Sequence, residues 1–170
     1  RPMSFVLRVR LPLAQLPDLP ALLDSVSERL GLEVRLDDEA QRLLDQGKKE
    51  SSWCPWPRGH VALHVPRAST RGADVSVDPS GDDVDVQITA PVLGTWTDWI
   101  LAIEVARALA EDADVGVTVG GEGRFLSEGL VDRYVSSEAQ YLCECVAGCD
   151  KLQSSVDAGR TVRVGGPAGF

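Results

Sequence analysis

The sequence lacks several features that mark membrane proteins and common enzymes. No run of about 18 apolar residues occurs, so no segment is long enough to cross a membrane as a helix. Only 2 of the 170 residues are histidine, and neither the G-x-S-x-G nor the H-E-x-x-H motif is present. We therefore assign no catalytic residue and expect a binding protein rather than an enzyme.

An export signal is also lacking. Arg8 and Arg10 interrupt the apolar stretch near the N-terminus, which is not the pattern of a signal peptide. We therefore expect a cytoplasmic protein of bacterial type in which the cysteine thiols are reduced.

Basic residues are scarce after residue 71. Residues 72–170 contain 6 Lys and Arg against 17 Asp and Glu, a charge of −11, whereas residues 1–71 contain 11 against 9, a charge of +2. Nucleic-acid binding requires a basic face, so we expect no nucleic acid as partner. An acidic face attracts a basic protein, although the same charge also serves solubility alone.

The composition is that of an ordinary globular domain. Hydrophobic residues make up 44% and charged residues 25% of the chain, and a chain of this length usually forms one domain with its own core. We expect residues 1–170 to form a single α+β domain. Because the end at 165–170 has no polar tail, we also expect that this domain is the N-terminal part of a longer chain.

Alternation of apolar and polar residues predicts the strands. Residues 3–11 alternate with a period of two, and residues 74–90 form a hairpin with a turn at 79–82. Strict alternation indicates a sheet with one buried and one exposed face, and Asp83 and Asp85 fall on the exposed one. Shorter strands are predicted at 32–36, 61–65, 115–119 and 161–164.

Four helices are predicted from capping residues and apolar stripes. They begin at Asp18, at Asp37 or Asp38, at Thr95 or Thr97, and at Ser127, and end near residues 31, 46, 112 and 146. The third is apolar around most of its circumference, so we expect it to be buried. The order β α β α β β β α β α β indicates an α+β fold, with a mixed or mainly antiparallel sheet and helices packed on one face.

Four cysteines suggest a metal site as one hypothesis. Cys143, Cys145 and Cys149 lie within seven residues, and Cys54 lies in a separate loop. Zinc takes four ligands, so Cys54, Cys145 and Cys149, with His60 as the fourth, are the candidate metal ligands. Cysteine is also among the residue types most often buried as a small hydrophobe, and we favour core packing over metal, disulfide or redox roles.

The loop of residues 53–58 is the best candidate for binding a partner. It combines two tryptophans and an arginine, which are the residue types that anchor protein interfaces. The candidate partner-binding residues are Trp53, Trp56, Arg58, Asp83 and Asp85. The alternative is that both indole rings fold back onto the core as a lid.

These observations predict a protein-binding module with an acidic surface, such as an inhibitor or immunity-type protein that neutralises a basic effector. One alternative is a zinc protein built on the clustered cysteines. Another is a regulatory or oligomerisation domain of a longer protein, which would form homo-oligomers. The carboxylates Asp98, Glu104, Glu122 and Glu128 are interpreted as separate surface charges.

Overall fold

The computed structural model describes residues 4–91, 94–120 and 124–125, which all belong to one compact unit, Arg1–Leu126. The strands are β1 (Ser4–Pro12), β2 (Arg35–Leu36), β3 (His60–His64), β4 (Ala73–Ser80), β5 (Asp83–Pro91), β6 (Val117–Val119) and β7 (Arg124–Phe125). The helices are α1 (Leu19–Leu30), α2 (Asp38–Asp45) and α3 (Trp96–Asp112), with a 3₁₀ turn at Leu13–Gln15 between β1 and α1.

The strands form one sheet in the order β2-β3-β4-β5-β1-β6-β7, and every pair is antiparallel. Helix α3 packs against the central strands β1, β5 and β4, and α1 packs against α3. The predicted α+β fold with a mainly antiparallel sheet and helices packed on it is confirmed. Whether residues 1–170 form a single domain stays a prediction, because residues 126–170 lie outside the described part.

The two faces of the sheet differ as the alternation predicts. In β1 and β5, Leu7 lies opposite Ile88 and Val9 opposite Val86, and all four side chains are buried. We call this side the inner face. The intervening residues, such as Asp85, point to the other side, which we call the outer face. One apolar and one polar face is the usual arrangement for an antiparallel sheet.

Side chains at the predicted positions begin each described helix. The Asp18 carboxylate accepts from the Ala21 backbone N–H, and the Asp37 carboxylate does the same for Ala40 at the start of α2. Thr95 and Asp98 form a reciprocal capping box at the start of α3. Helix α3 has ten buried residues, so its predicted burial is confirmed.

The hairpin turn is shorter than the sequence suggests. Strand β4 continues through Pro79 and Ser80, which pair with Val84 and Asp83, so the turn consists of two residues, Gly81 and Asp82. Proline is accepted in β4 because the ladder with β3 ends at the pair of His60 and Ser76. Beyond that pair β4 is an edge strand, where proline removes no ladder hydrogen bond.

Three other elements differ from the prediction. The strand expected at 32–36 is only Arg35–Leu36, since the preceding residues form the turn after α1. Strand β6 is likewise shorter than the predicted 115–119 and lies between β1 and β7, one strand from the edge. Strand β7 was not predicted, because two residues are too few to show a period. The helix expected from Ser127 and the strand expected at 161–164 lie outside the described residues.

Candidate partner-binding surface

Carboxylates gather on the outer face where β4 and β5 form their hairpin. The hairpin of residues 73–91 contains five aspartates and no lysine or arginine. We call these residues the acidic hairpin: Asp74, Asp78, Asp82, Asp83 and Asp85. Asp82 lies in the turn, and the other four occupy alternate positions in the two strands, so they share the outer face.

The strand register places two of these aspartates directly opposite each other. Asp78 on β4 pairs with Asp85 on β5, and both are exposed. Like charges in this position destabilise a sheet by a few tenths of a kcal/mol or more, roughly up to 1. The repulsion between Asp78 and Asp85 therefore lowers the stability of the fold, and a positively charged group of a partner would reduce it.

Arg10 partly offsets the negative charge of the acidic hairpin. Arg10 on β1 lies opposite Asp85, and its Nε is 3.1 Å from Asp83 Oδ2 and 4.0 Å from Asp85 Oδ1. Its guanidinium also donates to the Ser80 hydroxyl. These side chains are largely solvent-exposed, so water and salt screen the pairs strongly. Within the described part of the chain, no ion pair involves Asp78 or Asp82.

Asp83 and Asp85, two predicted binding residues, are thus placed together on an exposed face. Asp74 and Asp78 extend the same surface, and sequence reasoning did not assign them. The sequence did contain the pattern that places them there, because Asp74, Ser76 and Asp78 alternate with valines in β4 just as the aspartates of β5 do. What the sequence does not show is the register that brings Asp78 against Asp85.

Trp56, in contrast, is not part of any surface. Its side chain has 0% exposure, and its indole Nε1 donates to the Pro17 backbone oxygen at 2.7 Å. The assignment of Trp56 to partner binding is therefore corrected: the ring is a core side chain, as the lid alternative supposed. Its polar atom finds an acceptor inside the fold, which removes the usual cost of burying it.

The other two candidates in the loop remain partly exposed. Trp53 and Arg58 are intermediate in exposure. Burial, the largest single influence, raises the pKa of Asp37, but backbone hydrogen bonds from Ala62 and Ala40, and then the positive charge of Arg58, together lower it further. No hydrogen bond or ion pair among the described residues joins Arg58 to Asp83 or Asp85. The five predicted residues thus separate into a core side chain, two loop residues and the acidic hairpin.

The structure describes one of the three predicted cysteine ligands. Cys54 is buried at 1% exposure and is a free thiol, and burial raises its pKa above the ordinary value. His60 lies near Asp74, with Nε2 3.6 Å from Oδ1. Among residues 4–91 and 94–120, no group of three or more potential ligands is placed to hold a metal ion. Cys145 and Cys149 lie outside the described residues.

We expect the Cys54 thiol to resist alkylation while the protein is folded. Its burial and its raised pKa both lower the fraction of reactive thiolate at the surface. Alkylation with iodoacetamide at pH 8, followed by peptide mass spectrometry, should label Cys54 at least about tenfold faster in 6 M guanidinium than in buffer. Equal rates in the two conditions would contradict the buried position.

Among the described residues, the most deeply buried charged group is Asp98, which was expected to be a surface charge. It has 0% exposure and no basic partner in the described part of the chain. Instead, its oxygens accept backbone N–H bonds from Thr95 at 2.9 Å, from Gly72 at 3.0 Å, and from Thr70 and Arg71 at 3.3 Å each. Burial, the largest single influence, raises the pKa of Asp98, but these hydrogen bonds and one from the Ser69 hydroxyl together lower it further than burial raises it.

Asp98 therefore connects two distant parts of the chain. It holds residues 70–72, the end of the connection between β3 and β4, against the start of α3. Gly72 in this connection has φ +73°, and a Cβ there would lie 2.0 Å from the Leu63 carbonyl oxygen, so only glycine fits. Because the oxygens of Asp98 accept these four backbone N–H bonds, we assign this carboxylate a structural role rather than a catalytic one.

Glu104 is the other described member of the four carboxylates that were interpreted as separate surface charges. Glu104 faces Arg107, with Oε1 2.9 Å from Nη1, and Arg29 of α1, with Oε2 3.7 Å from Nη1. Arg29 also pairs with Glu111, so these charges join α1 to α3. Glu122 and Glu128 lie outside the described residues.

No helix in the described part of the chain is long and apolar enough to cross a membrane. Comparisons with protein families, with curated proteins and with solved structures find no match to this chain. The class is therefore defined by the fold alone: an α+β protein with a seven-stranded antiparallel sheet and helices packed on it.

Proposed function

We propose that this protein binds a basic protein through the acidic hairpin, as an inhibitor or immunity-type protein binds and neutralises a basic effector. The observation that supports the proposal most directly is the exposed pair of Asp78 and Asp85, which face each other across β4 and β5. A cationic side chain of a partner would lie between them and remove their repulsion.

The chemistry of the surface also indicates the kind of partner. The acidic hairpin carries five carboxylates, and in the described structure Arg10 is the one lysine or arginine in ion pairs with it, while His60 lies beside Asp74. Charges at the rim of an interface act mainly on the association rate and on partner choice. We therefore expect binding that weakens as salt screens the charges, over a Debye length of about 8 Å at physiological ionic strength.

Neutralising Asp78 and Asp85 should remove the partner without unfolding the protein. The double variant D78N/D85N keeps side-chain size and relieves the repulsion, so its melting temperature should stay equal to that of the wild type or rise slightly. Affinity capture from lysate of the source cells, quantified by mass spectrometry, should retain a basic protein on the wild type and lose it at least about tenfold on the variant.

The matched control removes the same number of charges elsewhere. Asp112 and Asp114 are exposed at and just beyond the end of α3, so D112N/D114N changes net charge equally and leaves the hairpin intact. The control should bind as the wild type does. If both double variants lose the partner equally, the net charge matters and the hairpin does not. If neither loses it, binding lies elsewhere on the molecule.

A further inference from the structure

A second surface, which shares no residue with the acidic hairpin, lies between the first two helices. A groove of about 680 Å³ is bounded by α1, by α2 and by the turn at residues 31–34. We call it the α1–α2 groove. Its apolar lining includes Leu23 of α1, Leu44 of α2, and Leu32 and Val34 of the turn. None of the residues that line it belongs to a strand, so pairing with a sheet edge is not available there.

Leu32 is exposed in a motif that usually buries this position. Helix α1 ends at Gly31, which has φ +63°, and the backbone N–H groups of Gly31 and Leu32 donate to the carbonyls of Glu28 and Ser27. This is a Schellman motif, in which the residue after the glycine commonly contacts an apolar side chain one turn back. Here that position is Ser27, whose hydroxyl accepts from the Val34 N–H at 3.1 Å, and Leu32 is 49% exposed.

Two carboxylates at the rim of the groove are placed where they lower the stability of the unbound protein. Asp24 and Glu28 line it four residues apart on α1, and like charges with this spacing destabilise a helix. Glu28 also lies in the last turn, where the helix dipole disfavours negative charge. Neither carboxylate forms an ion pair within the described residues, and no lysine or arginine lines the groove.

We propose that the α1–α2 groove binds a basic amphipathic helix of a partner protein. Its apolar side chains would pack on Leu23, Leu32 and Leu44, and its lysine or arginine side chains would lie beside Asp24 and Glu28. A groove between two helices that presents leucine side chains beside polar ones can take an amphipathic helix. The charge of the rim selects a basic helix over an acidic one.

A pair of synthetic helices tests this proposal on the full chain. One has about 14 residues of leucine and lysine in a helical period, and the other has glutamate in place of lysine. In a titration of the ¹⁵N-labelled protein, the leucine–lysine helix should shift the amide signals of Leu23, Leu32 and Leu44 most strongly. The leucine–glutamate helix should bind at least about tenfold more weakly.

Variants then separate the groove from general charge attraction. L32S changes an exposed side chain, so it should leave the spectrum folded while weakening the leucine–lysine helix by about tenfold or more. D24N/E28Q should also weaken binding, whereas D112N/D114N should not. The proposal is overturned if the largest shifts lie outside the groove, for example at the acidic hairpin, or if L32S binds as the wild type does. Because the two surfaces share no residue, that result would leave the proposed function standing.

Discussion

Replacing Asp98 with alanine is expected to lower the free energy of unfolding by about 3–5 kcal/mol. The carboxylate is completely buried and accepts four backbone N–H bonds, from Thr70, Arg71, Gly72 and Thr95. Alanine would leave all four donors without an acceptor in a place where water is excluded. Urea unfolding at pH 7, followed by circular dichroism, measures the loss as a shift of the midpoint at constant slope.

Two variants show whether this loss comes from the carboxylate and not from a general effect on α3. D98N retains the shape and one acceptor oxygen but turns an NH₂ group toward backbone donors, so we expect an intermediate loss of about 2 kcal/mol. D112A removes an exposed aspartate of the same helix and should change stability by less than about 0.5 kcal/mol. A loss for D98A no larger than that for D112A would contradict the role of Asp98.

The lowered pKa of Asp98 also predicts how stability depends on pH. The folded state binds the proton more weakly than the unfolded state does. The stabilisation is therefore complete above the ordinary aspartate pKa of about 3.9, and it is lost as the pH falls through the lower pKa of the folded state. Asp37, whose pKa is also lowered, acts in the same direction. Between pH 5 and pH 3, the wild type should lose more stability than D98N does.

Replacing Trp56 with alanine is expected to lower the free energy of unfolding by about 3–5 kcal/mol. Trp56 is the largest of the fully buried side chains, and its ring joins the 53–58 loop to the segment before α1 through the hydrogen bond to Pro17. Alanine would leave a cavity and a buried carbonyl without its donor. The measurement is again urea unfolding followed by circular dichroism. Intrinsic fluorescence is recorded only as a second signal, because the variant has lost one tryptophan.

Two further variants at this loop divide the effect into its parts. W56F keeps most of the apolar ring but removes the indole N–H, so a loss of about 2 kcal/mol is expected. W53A removes the part-exposed tryptophan of the same loop and should cost about 1 kcal/mol or less. If W53A destabilised the protein as much as W56A does, the assignment of Trp56 to the core and of Trp53 to its edge would be wrong.

Local patterns predicted those parts of the fold that depend on neighbours along the chain. The caps at Asp18 and Thr95 and the end at Gly31 were predictable because a helix terminus needs partners within about four residues. The alternation of apolar and polar residues placed Asp83 and Asp85 on the exposed face, because successive side chains of a strand point to opposite sides. The hairpin turn was predicted too long, because the edge position that accommodates Pro79 depends on where β3 ends.

The candidate surface was predicted only in part, since the sequence of one strand does not determine its register against the other. Asp85 was predictable as an exposed residue, but its position opposite Asp78 was not. The α1–α2 groove was missed entirely. Its exposed Leu32 looks like an ordinary apolar residue of a strand until the turn after α1 is known.

The sequence by itself determined the fold class, the starts of the described helices and the exposed face of the hairpin. These follow from local patterns: the order of the elements, the capping residues and the alternation of side chains along a strand. The tertiary structure alone decided the environments of Trp56 and Asp98. Trp56 meets Pro17 across 39 positions and Asp98 meets Arg71 across 27. Such contacts form only when separate elements pack together, so neither composition nor period distinguishes a tryptophan that binds a partner from one that fills the core.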